Sequence, residues 1–107
     1  MNEADLVTLS GDVLTQLDAI LMGPDLKTQP AKWHQLYAVR KHLDDEQRSL
    51  VQADIASDDA AFQASANTIA TAVKQLKQQI DDMTKIDSII NIVSQIAANV
   101  DSILKLA

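Results

Sequence analysis

Residues 85–105, KIDSIINIVSQIAANVDSILK, place Ile86, Val93 and Val100 in one row, Ile89, Ile96 and Ile103 in a second, and Ile90, Ala97 and Leu104 in a third. Each row repeats every seven residues, close to two turns of an α-helix, so the three rows lie side by side on one helical face. A two-stranded coiled-coil seam needs only two such rows. A face this broad has to touch two neighbours, as it does in a bundle or a higher oligomer. Ile92 stands off the three rows and is expected at the surface of a monomeric bundle, where apolar neighbours from another helix would turn it into an interaction patch.

Working back along the chain, Phe62, Ala66, Ile69, Val73, Leu76, Ile80 and Met83 alternate steps of four and three, a seam of three heptads that predicts a helix over about 58–82. Ser57-Asp58-Asp59 ahead of it reads as an N-cap with acidic residues that complement the helix dipole. The joint between this helix and the last has two readings. Thr84 and Asp87 stand at capping-box spacing and favour a turn, yet no Gly or Pro enforces one, and the short step from Met83 to Ile86 also suits a stammer in one long helix.

Two further helices precede these. Leu6, Leu9, Val13, Leu17 and Ile20, widened by Val7, Leu14 and Leu21, define one over about 3–22, which Gly23-Pro24 ends. Gly11 inside it costs about 1 kcal/mol against Ala, so a later start at Ser10 or Asp12 is the alternative. Pro30 opens the next, over about 30–53, with Trp33, Leu36, Tyr37, Val39, Leu43, Leu50 and Val51 as its apolar stripe; Ile55 would extend that stripe if residues 54–59 continued the helix. Two Gly and two Pro leave too little punctuation for many short strands. The expected fold is an all-α, antiparallel bundle of four helices in a single domain, 1–107. In the alternative, the second and third or the third and fourth helices merge into longer, coiled-coil-like ones that assemble between chains.

Composition narrows the function classes. No window approaches the roughly 18 to 20 consecutive apolar residues of a membrane span, and Met-Asn-Glu-Ala-Asp lacks the basic start of a secretory signal, so a soluble, cytoplasmic protein is expected, with signal-less export left open. Absence of Cys removes disulfides, thiolate nucleophiles and Cys-based zinc sites. Net charge −6, with nine Lys and Arg thinly spread, argues against nucleic acid or an anionic membrane as partner, because phosphate contact needs clustered cations. A neutral or basic protein, or a second copy of the chain, is the expected partner.

The chain offers little for chemistry. His34 and His42 lie about 80° apart on a helical wheel and outside the apolar stripe, which reads as two solvent-facing histidines, although Asp45 and Glu46 share a face with His42. Only Glu3 and Glu46 are glutamates, and neither precedes a histidine by three residues, so the di-iron pattern of bundle enzymes is missing. The pairs Asp44-Asp45, Asp58-Asp59 and Asp81-Asp82 diverge by about 100° on a helix and cannot point into one site. No phosphate loop, nucleophile elbow or His-Glu-x-x-His is present. No catalytic residue, cofactor or metal ligand is expected.

Arg40, Asp44 and Gln47 are polar residues within the stripe of the second helix, where they need partners. Arg40 can pair with Asp44, and Asp44 with Arg48. Beside Trp33 and Tyr37 they read either as a recognition surface rich in hot-spot residue types or as an arginine snorkelling at a contact within the bundle. Trp33, Tyr37, Arg40, Asp44 and Ile92 are therefore the candidate partner-binding residues of a non-enzymatic protein–protein interaction module. Adaptor, small chaperone, immunity-type inhibitor and secretion-system component are all compatible with that reading. The alternative is an exported or membrane-active protein using the amphipathic C-terminal helix, whose only cations, Lys85 and Lys105, are few for an interfacial anchor.

Overall fold

A computed structural model describes all of residues 1–107. Four long helices, α1 (Glu3–Met22), α3 (Pro30–Gln52), α4 (Ala60–Gln79) and α5 (Ile86–Leu104), are joined by the single turn α2 (Pro24–Lys27), a loop and a 3-10 turn, with no strand. The all-α bundle is as the periodicity predicts, and both doubtful joints are breaks. At the first, Asp59 rather than Ser57 caps α4, which starts at Ala60 with no acidic residue in its first turn, by accepting from the backbone N–H of Ala61 and Phe62. At the second, Asp82 accepts from the N–H and hydroxyl of Thr84 in a 3-10 turn, so the Thr84–Asp87 capping box does not form. α1 starts at Glu3 in spite of Gly11, because Asn2 and Asp5 form a capping box that satisfies two of the free N–H groups there.

Cross-helix contacts give the topology. Trp33 reaches Leu21, Arg40 reaches Asp18 and Gln47 reaches Val7, so α1 and α3 are antiparallel. Lys32 pairs with Asp87 and His42 with Asp101, so α3 and α5 run the same way. The chain is thus two helical hairpins, α1–α3 and α4–α5, packed with α3 against α5. Twenty-five buried residues form one aliphatic core around Phe62. Leu36, Leu43 and Leu50 are its α3 layer, and Ile89, Ile96 and Ile103 are a fully buried row of α5.

Three sequence expectations about exposure are corrected. Ile92 is 6 % exposed, because α5 sits between α3 and α4 and buries a face wider than its three rows. Tyr37 and Val51, placed in the α3 stripe by spacing, are exposed; the buried seam of α3 is narrower than the apolar one. Gly11 has a positive role in packing. A Cβ there would lie 3.0 Å from Gln47 Nε2, which crosses over it to donate to the Val7 carbonyl at 3.0 Å. Gln47, polar within the stripe, finds its partner in the backbone of α1.

Candidate functional site

Two places on the surface hold side chains that the core does not use. The first lies where α1 ends and α3 begins. The Trp33 indole N–H donates to the Leu21 carbonyl at 2.9 Å, one of the last-turn carbonyls that α1 itself cannot satisfy. This bond fixes the ring half-buried, and Tyr37, one turn on, stacks against it with centroids 5.2 Å apart and planes 7° apart. His34 meets the ring edge-on. Met22 is 78 % exposed and Tyr37 46 % exposed, so the ledge keeps large apolar surface in water. An open groove of about 570 Å³ runs along it, lined by Leu21, Met22, Lys27, Pro30, Trp33 and His34.

Arg40 and Asp44 do not join this ledge. The Arg40 guanidinium forks onto the Asp18 carboxylate of α1, with Nε at 2.9 Å and Nη2 at 3.1 Å, and Asp44 stands 3.8 Å away. Asp44 in turn holds Arg48 at 3.0 Å. The polar residues of the stripe are therefore an intramolecular bridge between α1 and α3, the second of the two readings of the sequence. Ile92, in the core, is apart from both. Of the five candidate residues, the structure brings only Trp33 and Tyr37 together at an accessible surface.

The second place lies between α3 and α5, about midway along α3. His42 Nε2 is 3.2 Å from the Asp101 carboxylate and 3.7 Å from that of Glu46. The three ligating atoms lie within 4.8 Å of one another. Both histidines are exposed, as their wheel positions predict. Glu46 is the surprise: it is 3 % exposed, and no donor reaches either carboxylate oxygen. Its nearest polar neighbour on α5 is a carboxylate, so a hydrogen bond between them requires Glu46 to keep its proton. Burial first, then the facing Asp101 carboxylate, push the Glu46 carboxyl from 4.5 up to about 9. Asp101 moves the opposite way, held below the usual range first by the facing Glu46 carboxyl and then by His42 and Lys105.

A signal for Glu46 exists in the sequence. Leu36, Val39, Leu43, Glu46 and Leu50 alternate three and four, which places a carboxyl in a core position of the seam. No local feature shows that Asp101, 59 residues from His42, completes the group.

Comparison with protein-family models, curated proteins and solved structures returned no match. No helix is long and apolar enough to cross a membrane.

Proposed function

We propose that this chain is a protein-interaction module that docks a different protein on the Met22–Trp33–Tyr37 ledge. The observation that carries the reading is the exposure of Met22 and Tyr37 beside an anchored tryptophan and an open groove, while the Ile-rich face of α5 is consumed within the bundle. Aromatic side chains held rigid before binding lose little entropy on contact, and Trp and Tyr dominate binding hot spots. A net charge of −6 sets two copies of the chain against each other, which favours a neutral or basic partner that offers an apolar side chain to the groove.

The test is site-specific photocrosslinking in cells of the source organism, with a benzophenone side chain at Tyr37 and, as control, at exposed Lys74 on α4. A discrete adduct at position 37, absent from position 74 and lost with Met22→Asp, supports the proposal. Equal adducts from both positions, an adduct indifferent to Met22→Asp, or one of twice the chain mass would overturn it.

A further inference from the structure

The geometry points to a binding site for one first-row divalent transition-metal ion of the zinc class, held between α3 and α5 by His42 Nε2 and the carboxylates of Glu46 and Asp101. This goes beyond partner docking and uses none of the ledge residues. His42 and Glu46 stand one turn apart on α3, so the helix presets two ligands on one face, and α5 brings the third across the seam. Metal–ligand bonds of about 2.1 Å at angles of about 90 to 109° separate neighbouring ligand atoms by about 3.0 to 3.4 Å. The separations of 3.2 and 3.7 Å around His42 Nε2 are close to that edge length, within reach of a rotamer adjustment.

Glu46 distinguishes this group from an ordinary surface cluster of charges. Its two oxygens are buried and unpartnered, and they end next to the other two ligands. A buried acid without a donor is costly to a fold. A cation between the three groups supplies what both oxygens lack. Once the ion displaces the Glu46 proton, two carboxylates match the charge of a dication, and one imidazole turns the preference from Mg²⁺ and Ca²⁺ towards zinc-like ions.

Access is open, because the side chains of His42 and Asp101 are about half exposed above buried Glu46. Ala38, Ala97 and Ala98 line a groove of about 330 Å³ beside them, where small side chains leave room for water on the remaining coordination positions. Three protein ligands with open positions is the pattern of a metal that meets solvent or a small ligand rather than one that only staples the fold.

The experiment uses the full, tag-free chain, stripped with chelator and titrated calorimetrically with ZnCl₂ near neutral pH, with CoCl₂ in parallel for its visible spectrum. One ion per chain is expected. Glu46→Gln and Asp101→Asn should each weaken binding at least tenfold and bleach the cobalt bands, while His34→Ala, at the exposed histidine outside the group, leaves both unchanged. Circular dichroism confirms the fold of each variant; if Glu46→Gln loses helicity, the half-exposed Asp101→Asn decides. Absence of saturable binding, binding that survives Asp101→Asn, binding lost with His34→Ala, or equal affinity for Mg²⁺ would each overturn the assignment.

Discussion

Glu46 concentrates the physical chemistry of this protein in one side chain. In the unfolded chain its carboxyl loses its proton near 4.5, whereas in the bundle it keeps that proton to about 9. Between those values the folded state binds the extra proton, so stability falls as pH rises. The contribution is fully present below about 4.5 and is gone once pH passes about 9. Asp101 and Asp82, both lowered from 3.8, act in the opposite sense, but their windows lie below that value and do not overlap. Metal-free protein unfolded in urea should therefore lose on the order of a few kcal/mol between pH 5 and pH 9. Glu46→Gln, whose amide can donate to Asp101 at any pH, should flatten that slope. A slope unchanged by the substitution would place its origin elsewhere. Arg40 and Asp18 form the other polar contact that matters. With Asp18 about half exposed, a double-mutant cycle in alanine should give a coupling of about 0.5 to 1 kcal/mol, no larger than an ordinary surface pair.

At the scale of the elements, α5 decides how the helices are shared out. A helix with three apolar rows could close a bundle or join chains, and the burial of Ile92 beside those rows shows that it closes one. Ile92→Ala should cost about 2 to 4 kcal/mol in urea unfolding, the range of a truncated core side chain. A surface residue would change stability by less than about 0.5 kcal/mol. The ends of the helices follow local chemistry that the sequence displays plainly. Pro30 opens α3, Gly23-Pro24 closes α1 and Asp59 caps α4. Two details escape that reading. Pro24–Lys27 forms a helical turn of its own, because the same proline that ends α1 is suited to a first helical position. At the 3-10 turn Asp82 captures Thr84 before the expected Thr84–Asp87 box can form, since a side chain two residues back is already within reach.

For the molecule as a whole, the two hairpins bury each other's apolar faces and leave accessible the ledge at one end and the His42–Asp101 pair midway along α3. The chain should elute as a monomer by light scattering from about 10 to 200 μM, a spread wide enough to reveal association of micromolar strength. A dimer across that range would mean that the ledge serves a second copy, and Met22→Asp should then dissolve it.

Four amphipathic segments and an aliphatic core were legible in the sequence, because periodicity is set by residues three or four apart, while the two joints around α4 stayed open because no Gly or Pro marks them. So was the presence of Trp33 and Tyr37 on one turn of α3. The tertiary structure alone decided which polar residues of the α3 stripe find partners, Arg40 at Asp18 and Gln47 at the Val7 carbonyl, and which does not, buried Glu46 beside Asp101 and His42. It also decided that Ile92 is inside and Tyr37 outside. Those outcomes depend on how two hairpins cross and how deeply each helix sits between its neighbours. The chain encodes that through the sum of many weak apolar contacts, which no short stretch contains.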